Sequence, residues 1–363
     1  MNNSKRIFYF DALRVMAIIG VIFCHASTSF VALDIGSFNF YISAFFDCFR
    51  DFCVPIFVML SGALLIAKKD SLFTFFKKRL SRIFIPFLFW GIVYTLYSFI
   101  FLKHNLNLNY VFDVFMRNGG TIGGIFWFVW MIFTIYIAIF IINKVNSYGN
   151  GRIPDFDRKF INVLTILSVV FIIMFQMYLL PDILYKSLLG YYVSFIPYAI
   201  IGSFLANNDF ISSKIGAKKT ALIALALSIA TYLYYIFACV GPMSVSNNSF
   251  TYPGYFNILI LVLSASIFIL FKSMSKIQFF RNVEKSKYGD VIVSLSGYSY
   301  GIYLIHYLVL YILKRKIVII CDYTQQSPLI WIPLLVLITL IISLAILMIL
   351  DRIPYLRKVT GNS

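Results

Sequence analysis

The chain has 363 residues, of which 61% are hydrophobic, 19% aromatic and only 12% charged, about half the charged share usual in soluble domains. At a mean hydropathy of +0.88 the apolar surface exceeds what a soluble fold can hide, since even a large domain leaves about a quarter of its chain surface exposed. Composition therefore excludes disorder, a disulfide scaffold and a nucleic-acid-binding domain, despite the net charge of +17, and leaves a membrane protein.

A spanning helix needs about 20 mostly apolar residues. Ten such runs fit between charged clusters, at 7–31, 39–66, 83–102, 126–142, 160–180, 188–206, 220–240, 255–273, 294–313 and 329–350. The fourth is short, and 108–116 before it reads as a partial or re-entrant element. The spacing predicts an all-α polytopic bundle of about ten transmembrane helices, one membrane-embedded domain over 1–363. Of the 31 Lys and Arg, 23 fall on one side of these spans and 6 on the other, with Arg14 and Arg50 inside. The positive-inside rule then places both termini in the cytoplasm of a multi-pass cell-membrane protein. Basic charge thus reports topology rather than a polyanion partner. Lys314 to Lys316 are the local exception, read as side chains snorkelling to outer-leaflet headgroups. A cleaved leader over 1–27 is not expected, because Asp11 and Arg14 interrupt the apolar stretch. The five cysteines follow no metal or redox spacing, and Cys24, Cys48, Cys53 and Cys239 read as small hydrophobes within spans.

Ionisable side chains inside a membrane are costly and point to function. The first span carries Asp11, Arg14 and His25. At 100° per residue, His25 falls about 20° beyond three turns from Arg14 and about 40° short of four turns from Asp11, so the three share one face. The rise separates Arg14 from His25 by about 16 Å. One inward face thus carries an anion-binding group near the cytoplasm and a titratable base in the outer half. Asp11 and Arg14, three residues apart, also suit an ion pair. In the second span, Asp47 and Asp51 both lie within one turn of Arg50, so much of this charge can neutralise locally. Beyond them, Pro55 and the small pair Ser61-Gly62 make a place where backbone can approach a ligand.

The run Lys77-Lys78-Arg79-Leu80-Ser81-Arg82 leads into the third span. Arg79 and Arg82, at i,i+3, can converge on one phosphate-bearing ligand, helped by a helix amino end, although topology alone also places basic residues there. In the ninth span His306 lies at a depth comparable to that of His25, while His104 falls in an external loop. Depth leaves the lateral distance between His25 and His306 open, and packing and catalysis are both open for His306.

Together these segments resemble the acyltransferase-3 family of integral membrane acyltransferases over nearly the whole chain. Arg14, ten residues and His25 resemble its Arg-x10-His motif. Arg50 and Val54-Pro55 through Ser61-Gly62 resemble its second-span stretch, and Arg79-Leu80-Ser81-Arg82 its Arg-x-x-Arg. Phe126-Trp127-Phe128 with Tyr136 resembles a Leu-Trp-Phe-Leu…Tyr helix, and Ser299-Tyr300 through Tyr303 to His306 its Ser-Tyr-x-x-Tyr-Leu-x-His segment. Close relatives often carry His where this chain has Ile125. The resemblance implies transfer of an acyl group, commonly acetyl, from cytoplasmic acyl-CoA to a hydroxyl of a surface polysaccharide, lipid-linked sugar or similar glycan. It implies no permanently bound cofactor, with acetyl-CoA or another acyl-CoA as the donor substrate. It implies His25, with His306 as second candidate, in catalysis and Arg14, Ser61, Arg79 and Arg82 in acyl-CoA binding. Asp11, Arg50, Trp127 and Tyr303 fall to substrate binding or polar structure. The competing class is a proton-coupled transporter or polysaccharide exporter, and a third is a membrane sensor without chemistry.

Overall fold

The structure, a computed structural model, describes residues 6–31, 36–68, 70–105, 107–116, 124–148, 158–240, 254–320 and 326–362. Lys5, Lys69, Arg117 and Arg152, which enter the charge count, lie outside these residues. Every long element among the described residues is helical. In chain order these are α1 (Phe8–Val31), α2 (Phe38–Asp47), α3 (Phe49–Leu65), α4 (Leu72–Leu102), α5 (Leu108–Met116), α6 (Trp127–Tyr148) and α7 (Arg158–Gln176). Then follow α8 (Asp182–Lys186), α9 (Leu188–Val193), α10 (Ile196–Asn207), α11 (Phe210–Ile215) and α12 (Ala217–Val240). The chain closes with α13 (Ile258–Met274), α14 (Gln278–Glu284), α15 (Lys287–Ile320) and α16 (Pro328–Asp351). Among the described residues nine helices are long and apolar enough to cross a membrane, or ten when α13 and α14, bent by 83°, count as one broken span. This is the all-α polytopic bundle that the hydropathy predicts.

Three spans differ in detail. The third begins at Leu72 rather than near residue 83, because Ser71 caps it by accepting from the Thr74 amide and the basic residues that follow are good helix formers. The second breaks at Cys48, where the Asp51 amide bonds the Cys48 carbonyl in a tightened turn. The sixth is divided into α9, α10 and α11, with Pro197 at the start of α10.

The helices cluster into two compact units. The first holds residues 1–17, 48–69 and 134–296 and the second 18–47, 70–133 and 297–363. In the first unit, α3 and α10 cross almost backbone to backbone. A Cβ on Gly62 would lie 1.8 Å from the Ala199 carbonyl oxygen, and one on Gly202 would lie 2.2 Å from that of Met59. Such small residues let helices associate in lipid, where no hydrophobic force draws them together. The close approach at Ser61-Gly62 is thus to a neighbouring helix. Gly202→Val should cost more than the ~1–3 kcal/mol of ordinary overpacking, because rigid backbone blocks the new side chain. Loss of monodisperse protein on mild heating in detergent measures this, and an unchanged melting profile would rule the crossing out. Elsewhere in the unit, the Lys272 ammonium donates to the carbonyls of Leu205, Ala206 and Asn208 at 2.7–2.9 Å, satisfying the end of α10.

In the second unit, α15 is pinned by tyrosines. Tyr300 donates to the Ile83 carbonyl at 2.8 Å, and Tyr298 to Asp351 at 2.9 Å. Tyr94 of α4, fully buried, donates to the Leu304 carbonyl at 3.1 Å and accepts from the Leu308 amide at 3.0 Å. Gly301 admits the chain's last turn, since a Cβ there would lie 2.1 Å from the Thr360 carbonyl oxygen. The Trp90 indole secures that segment by donating to the Val359 carbonyl at 3.1 Å.

Candidate active site

In the second unit the carboxy-terminal part of α1 meets α15, and the two intramembrane histidines come together. The imidazole centroids of His25 and His306 are 5.3 Å apart, and the rings are inclined by 38°. Tyr307 stands edge-on to His25, with centroids 5.1 Å apart. Sequence depth alone leaves this pairing undecided, because helix periodicity carries no lateral distance. His306 is wholly buried, with Nδ1 2.6 Å from the Tyr303 carbonyl oxygen and 3.1 Å from that of Ile302. Carbonyls accept only, so Nδ1 carries a proton, and in the neutral ring Nε2 presents a lone pair. That Nε2 is buried and has no hydrogen-bond partner among the described residues. His25 is half-buried, so it is the more accessible ring of the pair.

Tyr303 explains part of the spacing around His306. Its hydroxyl donates to the Ile125 carbonyl, and its ring lies 4.9 Å from that of Phe128. The backbone of Ile125 therefore anchors Tyr303. Trp127, half-buried, opens α6 two residues later. His104, outside the site, stacks on Tyr110 at 5.1 Å.

The basic run is more occupied than its spacing suggests. Arg79 sits seven residues inside α4, so no helix amino end adjoins it. Both terminal nitrogens of its guanidinium lie 3.3 Å from Asp70 Oδ2, one also donates to the Phe75 carbonyl at 2.8 Å, and the group lies 3.9 Å over the Phe75 ring. The side chain is 11% exposed, and its buried Nε has no hydrogen-bond partner among the described residues. Arg82 is exposed. The two arginines thus do not converge on one point in this structure.

A polar cluster that the sequence reading missed lies beside His25. Asp47 accepts from Ser27 Oγ at 3.2 Å and from the Cys24 thiol at 3.8 Å. Cys24, Cys48 and Cys53 are buried thiols, and Cys24 both fills space and donates. Lys314 of α15 turns inward and donates at 2.8 Å to both the His25 carbonyl and Ser29 Oγ. Snorkelling to headgroups is therefore not its role. A lysine two turns beyond a motif histidine was the available signal.

In the first unit, Asp11 is 1% exposed and neutralised from two sides. Arg14 donates to it at 3.1 Å, as the i,i+3 spacing predicts, but Arg6 holds it more closely at 2.7 and 3.1 Å. Ser296 donates to the same carboxylate at 2.6 Å. That hydrogen bond to Asp11 raises the pKa of Arg6, which precedes the span. Arg50 pairs with Asp51 at 3.5 Å, and Asp51 also accepts from Tyr235 at 2.8 Å. Asp47, of the same group, is engaged from α1. Ser61 donates to the Phe57 carbonyl of its own helix at 3.0 Å.

A family model described as an acyltransferase domain covers residues 7–348, nearly the whole chain. No curated protein and no solved structure matches.

Proposed function

Since the chain belongs to the acyltransferase-3 family of membrane acyltransferases, we propose that it moves an acetyl group from cytoplasmic acyl-CoA to a hydroxyl of a surface glycan or lipid-linked sugar, with His25 as general base. The observation that carries this reading is the pairing of His25 with His306, whose buried Nε2 lacks a partner among the described residues. In the step proposed, His25 removes the proton of the acceptor hydroxyl as its oxygen attacks the thioester carbonyl. The carbon–sulfur bond breaks, the acyl group stays on the acceptor oxygen, and the CoA thiolate takes the proton back from His25. His306 Nε2, able only to accept in the neutral ring, receives a hydrogen bond from either His25 or the acceptor. A thioester is already activated, so removal of this proton is the main chemical need. Arg79 and Arg82 are the groups proposed for the CoA phosphates, and Arg14 and Ser61 are carried as acyl-CoA-binding candidates by the family resemblance alone. Acyl-CoA-dependent mass gain on a cellular glycan, present with the purified protein and absent without it, tests the activity against transport or sensing.

In this reading Asp70 holds the place of a phosphate, because a carboxylate and a phosphate oxygen match the same guanidinium fork. Arg79→Ala should weaken acyl-CoA binding about tenfold or more, from the ~1.5–3 kcal/mol of a charge-assisted contact. Asp70→Asn should tighten it, since the competing anion is gone. Calorimetric titration in detergent measures both, and equal affinity in both variants would return the basic run to topology alone.

A further inference from the structure

We propose that Lys314 is a positioning residue for the histidine pair, an inference that rests on the reading of His25 as the base. A lysine inside a membrane span is costly and marks a function or a fixed partner. Lys314 spends its charge on the peptide of His25 itself: the ammonium donates at 2.8 Å to the His25 carbonyl and at 2.8 Å to Ser29 Oγ one turn later. A carbonyl within a helix has a second lone pair beyond the one used by the helix ladder, and the lysine donates to it at a shorter distance than the 3.3 Å of Thr28 Oγ1. Because Lys314 and His306 lie on the same helix, eight residues and about 12 Å of rise apart, this contact ties the His25 turn of α1 to the element that carries the second imidazole.

The same turn is held from another direction. Asp47 accepts from Ser27 and from Cys24, which flank His25, and its carboxylate also interacts electrostatically with Lys314. Lys314 thus holds the His25 carbonyl, while Asp47 engages the side chains of Cys24 and Ser27 on either side of it. The imidazole separation of 5.3 Å is then a property of a fixed backbone turn and not of ring packing alone. Misplacing a catalytic group by about 1 Å can cost about 10²-fold, so loss of this hold is expected in turnover and not in donor affinity.

The test compares kcat and KM for acetyl-CoA in Lys314→Met, Lys314→Arg, Ser29→Ala and His25→Ala, each purified in detergent. Lys314→Met, which keeps the stem and removes the donors, is expected to lose about 10²-fold in kcat with KM unchanged. Lys314→Arg, which keeps charge and donors, recovers part of this. In a His25→Ala background, Lys314→Met should remove nothing further, because it acts through that residue. Wild-type kcat in folded Lys314→Met, or a raised KM with unchanged kcat, overturns the proposal. If Lys314→Met does not accumulate, Ser29→Ala, a mild change that deletes one of the two acceptors, decides. Reduced kcat at constant KM supports the positioning role, and wild-type kcat overturns it. Activity retained in His25→Ala would instead overturn the assignment of the base, which separates the two failures.

Discussion

Turnover should fall by about 10²–10⁴-fold when His25 is replaced by alanine, the usual contribution of a general base. The protein should still insert and purify, because His25 is only half-buried and the contacts that hold its turn are made by its carbonyl, which alanine retains. His306→Phe provides the contrast. Phenylalanine keeps an aromatic ring but removes Nδ1 and Nε2, and so the hydrogen bonds to the Tyr303 and Ile302 carbonyls. Its loss should be smaller than that of His25→Ala, since His306 is wholly enclosed and serves the accessible ring. Acyl-CoA-dependent product formation by the purified variants measures both. Wild-type turnover in His25→Ala would remove it from the mechanism, and a larger loss in His306→Phe would exchange the two roles.

The second large effect is one of sidedness, and it is all or none. In the proposed orientation Arg79 and Arg82 face the cytoplasm, where CoA is available, while α1 runs outward. From Phe8 to His25 the helix rises about 25 Å, most of a hydrocarbon core of about 30 Å. Acyl-CoA should therefore serve the enzyme from the cytoplasmic side and the acceptor hydroxyl should meet His25 from the outer side. The acyl group would cross while CoA does not. Sealed vesicles of one orientation, with acyl-CoA and a membrane-impermeant acceptor supplied on chosen sides, are expected to yield product only when the two are on opposite sides. Product formed only with both on the cytoplasmic side would sink this arrangement without touching the role of His25.

The spans could be read from the sequence because the cost of exposing backbone and charge to lipid leaves a long-range mark in hydropathy. Helix ends are marked less well. α4 starts at Leu72 because a serine cap and helix-forming basic residues extend it past the apolar run, and hydropathy sees only that run. The Asp11–Arg14 pair follows from a three-residue spacing, whereas Arg6, outside the span, binds the same carboxylate and has no such periodic signature. Contacts between helices are the main loss. That His25 and His306 pair, that Asp47 turns to α1, and that Lys314 points inward all depend on rotation of one helix against another. Single-sequence periodicity does not encode that rotation. The Arg79–Asp70 contact was missed for a simpler reason, since nine residues separate the partners across the start of a helix.

The Tyr94 hydroxyl occupies both ends of one rung of α15, giving a proton to the Leu304 carbonyl and taking one from the Leu308 amide. A tyrosine placed this way acts as a detent. α15 cannot slide or ratchet past α4 by a helical turn without leaving a fully buried phenol, a carbonyl and an amide all unmatched in a medium without water to replace them. The turn between Leu304 and Leu308 contains His306, so the histidine pair inherits that fixed axial register. In the proposed reaction, substrates would then be admitted by motions that leave this rung intact, such as side-chain rotation or displacement of other helices, and not by a piston stroke of α15.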